Sequence, residues 1–190
     1  MNKNLYFETI KCLDGEVLNL EYHIKRIANT IGKNINLQEY VYPVTDALLK
    51  CKVIYSMDEI IDIQYNPYVP KLPKVFKIIQ DDSVEYKYKY LDRSSIDTLL
   101  KQKYEADEII IVQKGLITDT SIANIAINKN NQWFTPTKSL LDGTTRDRLI
   151  NQGFLKQYPI TLEDLLEAKK FAIMNAMIEF KEIKEFKFIT

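Results

Sequence analysis

Pro67, Pro70 and Pro73 put three prolines into seven consecutive positions. Proline lacks a backbone N–H and has a fixed φ, so this stretch cannot pair in a central sheet and is biased toward an extended form. Reading it as a linker divides the 190 residues into an N-terminal α/β domain over 1–66, a connection over 67–73 and a larger C-terminal domain over 74–190. That length suits one domain, or two small ones.

Hydrophobic spacing supplies the elements. Leu5–Ile10 predicts a strand, Leu13–Glu16 a hairpin turn and Val17–Leu20 the return. Ile24, Ile27, Ala28 and Ile31 recur at i, i+3, i+4, i+7, which predicts a helix over Glu21–Ile31 stopping near Gly32. A second helix is predicted over Tyr42–Cys51, with Pro43 in its first turn, then a hairpin of Lys52–Met57 and Glu59–Gln64.

Beyond the prolines, strands are predicted at Val75–Ile79, Glu85–Tyr90, Glu108–Val112, Leu116–Thr120, Ala123–Asn128, Gln132–Thr135, Lys170–Met174 and Ile178–Phe188. Helices are predicted at Arg93–Tyr104, at Thr144–Gln152 and after Thr161, where Glu163 and Asp164 fall in the first turn. The pattern is α+β, with a largely antiparallel C-terminal sheet.

Composition removes whole classes of function. Basic and acidic residues number 26 each, so no bulk field holds nucleic acid or an anionic membrane. The longest purely aliphatic run is Ile109–Val112, far below the ~20 residues of a membrane helix. The opening MNKNLYFETI lacks a signal-peptide core, which makes the cytoplasm the default location. The five glycines lie too far apart for GxGxxG or a P-loop. His23 is the one histidine, and it sits in no nucleophile context and cannot build a His-rich metal site. Cys12 and Cys51 form no CxxC pair and read as small buried hydrophobes. The chemistry left rests on Lys, Asp or Glu, Tyr and Thr, or on a cofactor.

Three constellations remain. In Lys87-Tyr88-Lys89-Tyr90-Leu91-Asp92-Arg93, a buried lysine could serve as an amine nucleophile, while the plain alternative is a solvated edge strand. Thr118-Asp119-Thr120-Ser121 places four polar residues between apolar strands, either a hydrogen-bonded bend or bulge, or an inward carboxylate at a strand end. In Leu141-Asp142-Gly143-Thr144-Thr145-Arg146, hydroxyls and N–H groups gather at a helix start, either a plain cap or a phosphate cradle.

In this order the constellations resemble the class IV aminotransferase family of pyridoxal 5'-phosphate enzymes. The resemblance runs from Phe7-Glu8-Thr9-Ile10 through Leu20–Ile27, the Lys89–Arg93 segment, DEIIIV, GLITDTSIANI, WFTP and LLDGTTR to Ile173–Met177. It implies a small N-terminal domain and a mixed-sheet pseudo-barrel C-terminal domain. It implies Lys89 as the Schiff-base lysine and Asp119 as the acid facing the pyridine nitrogen. Arg26, Thr144 and Thr145 match the phosphate contacts. Ser121 matches a small polar residue near the cofactor, and Asn124 a neighbouring Asn that is as readily structural.

Three departures stand out. The family usually has Glu where Asp119 stands, and usual members begin with a further hairpin. Ser94 and Ser95 occupy the place of a family tyrosine. The implied activity is a transaminase or lyase acting on an amino acid or on aminodeoxychorismate, with 4-amino-4-deoxychorismate lyase the leaning. A homodimer and a small amino substrate come with it. The alternative is a non-catalytic or regulatory protein that kept the fold and binds the cofactor.

Overall fold

The computed structural model describes residues 4–190, which divide into two compact units. The first comprises residues 4–70 with Tyr88–Asp92, and the second is Lys71–Lys87 with Arg93–Thr190.

In the first unit, β1 (Tyr6–Leu13), β2 (Glu16–Val17), β3 (Leu49–Tyr55) and β4 (Ile60–Pro67) form an antiparallel sheet in the order β2-β1-β3-β4. Tyr6, Ile10 and Cys12 on β1 and Leu49, Cys51, Val53 and Tyr55 on β3 alternate inward. They pack with Ile27 and Ile31 of α1 (Leu20–Ile31). Burying each such side chain contributes roughly 1.5–3 kcal/mol, which stabilises a short helix that propensity alone would not hold. Gly32 ends α1 at φ 72°, its N–H donating to Ala28 O. Cys12 and Cys51 are buried and free.

The helix over Tyr42–Cys51 does not form. Residues 42–48 are irregular, with Ala47 N donating to Thr45 Oγ1, and β3 begins at Leu49. The alternating Leu49, Cys51, Val53 and Tyr55 find a sheet partner in β1, which outweighs a helical phase resting on one proline.

The second unit is built from β5 (Val75–Gln80), α2 (Ser94–Leu100), β6 (Glu108–Gln113), β7 (Leu116–Thr120), β8 (Asn124–Lys129), β9 (Gln132–Pro136), α3 (Thr144–Asn151), β10 (Leu155–Tyr158), α4 (Leu162–Leu166), β11 (Phe171–Asn175), β12 (Glu179–Ile183) and β13 (Lys187–Ile189). Nine strands run in the order β10-β9-β8-β7-β6-β5-β13, with β11 joining β8 to β12. The sheet is mixed: β10–β9, β5–β6 and β13–β5 are parallel and the other pairs antiparallel. Side chains of β8 are buried on both faces. Ile125 and Ile127 join the core of Phe76, Ile110 and Phe171, while Ala126 meets Ala172, Met174 and Leu149 of α3.

Two local features place functional side chains. On β6 and β7, Ile110 pairs with Thr120 but Val112 pairs with Ile117, so β7 carries an extra residue between Ile117 and Thr120. Such a bulge re-aims the side chains it contains, here Thr118 and Asp119. Immediately beyond, Thr120 Oγ1 accepts the N–H groups of Ile122 and Ala123, turning the chain into β8.

The EYKYKY stretch is not a strand. Its one bridge joins Tyr90 to Tyr6, flanked by Phe7 N–H donating to Lys89 O at 2.9 Å and Leu91 N–H to Leu5 O at 2.8 Å. Tyr86 is buried in the second unit, whereas Tyr88 and Tyr90 stack around Tyr6 in the first. The run predicted over Ile178–Phe188 breaks at Glu185, which has φ 58°. No helix among the described residues is long and apolar enough to cross a membrane.

Candidate active site

In the first unit a buried carboxylate organises the charge. Glu8 on β1 is fully buried against α1. His23 Nδ1 donates to its Oε2 at 2.6 Å, Arg26 Nε donates to Oε1 at 2.9 Å, and Arg26 Nη2 closes a second guanidinium bond. Burial opposes the Glu8 charge, but the Arg26 charge and these hydrogen bonds prevail and hold the carboxyl at about 2. Burial likewise pushes the His23 imidazole down, against the pull of Glu8. His23 is therefore an interior partner of Glu8. On neighbouring Phe7, Lys89 Nζ stands 4.5 Å from the ring centroid and Lys52 Nζ 5.1 Å. Both ammonium groups lie within cation–π range of one ring.

In the second unit Asp119 is 4% exposed. Its Oδ2 accepts the N–H groups of Leu140 and Leu141 at 2.8 and 2.9 Å, and its Oδ1 accepts Asn124 Nδ2 at 2.7 Å. Burial dominates, and the carboxyl is pushed up to about 6 despite these donors and nearby Arg146. The same loop leads through Gly143 into α3, where Thr144, Thr145 and Arg146 are buried. No side chain caps the first turn of α3, so its N–H groups present the positive end of the helix. Arg146 Nη2 donates to Pro136 O at 2.7 Å, and its Nε is buried with no partner among the described residues.

Ser121 is held from both sides. Its hydroxyl donates to buried Glu108 at 2.9 Å, and its carbonyl accepts Arg93 Nη2 at 2.9 Å. Burial pushes the Glu108 carboxyl up. Lys89 and Arg26 both lie in the first unit, Lys89 over Phe7 and Arg26 on Glu8. Asp119, Ser121, Thr144 and Thr145 come together in the second. Sequence reasoning missed Glu8, Lys52, Glu108 and Arg146, because each owes its role to a partner distant along the chain.

A family model for amino-transferase class IV matches residues 87–186, more than half of the chain. The chain belongs to the class IV amino-transferase family. An uncharacterized protein of Haemophilus influenzae is 33% identical over 182 residues, which span 90% of this chain and 96% of that one. The crystal structure of a "putative 4-amino-4-deoxychorismate lyase" from Haemophilus somnus superposes with a TM-score of 0.83 at 32% identity, covering 93% of this chain and 98% of that one. A hypothetical aminotransferase from Mycobacterium tuberculosis in its PLP-bound form shares the fold, with a TM-score of 0.80 at 15% identity over 97% and 81% of the two chains.

The residues of this class IV chain fit the cofactor that the family implies. A carboxylate offers about four acceptor positions, and Asp119 uses three, leaving one on Oδ1 for a further N–H donor. The uncapped turn of α3 and the unpartnered Nε of Arg146 suit an anion.

Proposed function

We propose that this class IV protein is a pyridoxal 5'-phosphate enzyme acting as 4-amino-4-deoxychorismate lyase, eliminating pyruvate and leaving 4-aminobenzoate. One observation carries the cofactor reading: a buried carboxylate and an uncapped helix N-terminus are tied to the same short loop, residues 140–143. The lyase reading is supported by the likeness to the Haemophilus somnus protein over nearly the full length of both chains.

When bound, the cofactor supplies an aldehyde for amines and an electron-withdrawing pyridinium ring. Lys89 Nζ would be the reactive amine; it would take the proton from the amine-bearing carbon and deliver it to the departing enolpyruvyl group, which leaves as pyruvate while the ring becomes aromatic. Phe7 beneath it limits the water around that amine. Asp119 would hold the ring nitrogen, accepting its N–H and favouring its charged form. Thr144 and Thr145, at the start of α3, would hold the phosphate through N–H and hydroxyl groups, and Arg26, oriented by Glu8, would be a further phosphate ligand. Ser121 supports the bend beside Asp119 through Glu108 and Arg93. A cytoplasmic homodimer belongs to the same reading.

The test is pyruvate release from aminodeoxychorismate by the cofactor-loaded protein with no keto acid added. Steady release with 4-aminobenzoate formed in equal amount is expected. Turnover that appears only when a keto acid is supplied makes the protein a transaminase. No reaction in either assay overturns the enzymatic reading.

A further inference from the structure

Asn124 is the first residue of β8 and pairs with Asp119 at the point where β7 meets β8. Both protons of its amide are used. Nδ2 donates to Asp119 Oδ1 at 2.7 Å and to Leu141 O at 2.9 Å. Those two acceptors fix which end of the amide faces them, because a flipped amide would set oxygen against oxygen at both. The amide oxygen then points at residue 143, and a Cβ there would lie 1.9 Å from Oδ1 and 3.1 Å from Cγ. Gly143 has φ −72° and ψ 138°, a conformation open to any residue. Glycine is required here by space and not by backbone freedom.

Asp119 completes the arrangement by gripping the N–H groups of Leu140 and Leu141. Loop 140–143 is therefore held by hydrogen bonds from Asp119 and Asn124 and by close packing at Gly143, where α3 begins.

We propose that Asn124 is a positioning residue that sets the acid of Asp119 and the first turn of α3 as one piece, through its contact with Gly143. The proposal rests on the reading of Asp119 and α3 as cofactor-holding groups. It adds that neither can be displaced without the other. Arg146 on α3 is the charged group that also faces Asp119.

The experiment uses the full chain and four variants: Gly143→Ala, Asn124→Ala, the double variant and Asn124→Asp. Two quantities are read: the Asp119 carboxyl titration by carbon NMR in cofactor-free protein, and the dissociation constant for pyridoxal 5'-phosphate. Gly143→Ala is expected to weaken cofactor binding at least tenfold and to move the Asp119 midpoint upward, since the new methyl expels the Asn124 amide. In the Asn124→Ala background the same change should alter the dissociation constant less than twofold, because the obstructing atoms are gone. Asn124→Asp, which turns the donor into an acceptor, should raise the Asp119 midpoint further than Asn124→Ala does.

A purely structural asparagine would lower the melting temperature while leaving the Asp119 midpoint in place, and that result overturns the proposal. Additive losses in the double variant overturn it too. If Gly143→Ala does not fold, the two Asn124 variants decide through the titration alone. Should the unaltered protein fail to bind the cofactor, the functional reading falls, while the Asp119 titrations still report on the linkage.

Discussion

A wholly buried carboxylate persists in the first unit because His23 and Arg26 close on both oxygens of Glu8. Removing it strands a buried cation, so Glu8→Ala should cost about 3–5 kcal/mol in urea unfolding. Its pKa is depressed from 4.5 to about 2, so its contribution is complete above pH 4.5 and is lost as pH falls through that window. Asp119 runs the other way. Its pKa is raised from 3.8 to about 6, so the folded state binds the proton more tightly than the unfolded one, and stability falls as pH rises through that interval. Asp119→Asn should flatten this interval, removing a slope that amounts to about 3 kcal/mol in all. A variant whose unfolding free energy keeps the parent's slope between pH 4 and 7 would show that Asp119 is not the group responsible. The same variant should retain the cofactor yet lose orders of magnitude in turnover. The polar run Thr118–Ser121 between two apolar strands draws attention to Asp119, while the role of acid comes from the family resemblance. Glu8 was not legible in sequence, since its partners lie 15 and 18 residues further on, on a helix face that only folding brings to β1.

Elements read well where local chemistry and packing agree. Lys114 and Gly115, at φ 50° and 77°, turn β6 into β7 as a two-residue hairpin, and Gly32 stops α1. At α4, Thr161 Oγ1 accepts the Asp164 N–H while the Asp164 carboxylate accepts the Thr161 N–H, a capping box. Thr161→Ala should therefore lower the unfolding free energy by about 1 kcal/mol without changing cofactor affinity. A shift in affinity would mean that α4 contributes to the site. Elements were misread where distant partners decide. The alternation of EYKYKY satisfies a strand pattern, yet its tyrosines go to two different units. A bend or bulge is one of the two readings of Thr118-Asp119-Thr120-Ser121, but which residues carry the extra position is fixed only by the register with β6.

At the scale of the molecule, β4 ends at Pro67 and the second unit begins at Lys71, within the proline-rich stretch. What that stretch could not reveal is the return of Tyr88–Asp92 to the first unit, a pairing with β1 across some eighty residues. That return separates two lysines two positions apart. Lys87 is exposed in the second unit, whereas Lys89 is half-buried over Phe7 in the first. Everything proposed for catalysis depends on that difference. Borohydride reduction of the cofactor-loaded protein, followed by peptide mass spectrometry, tests it directly. The account predicts one pyridoxyl adduct, on Lys89, lost in Lys89→Ala and kept in Lys87→Ala; an adduct on Lys87, or none on either lysine, contradicts it.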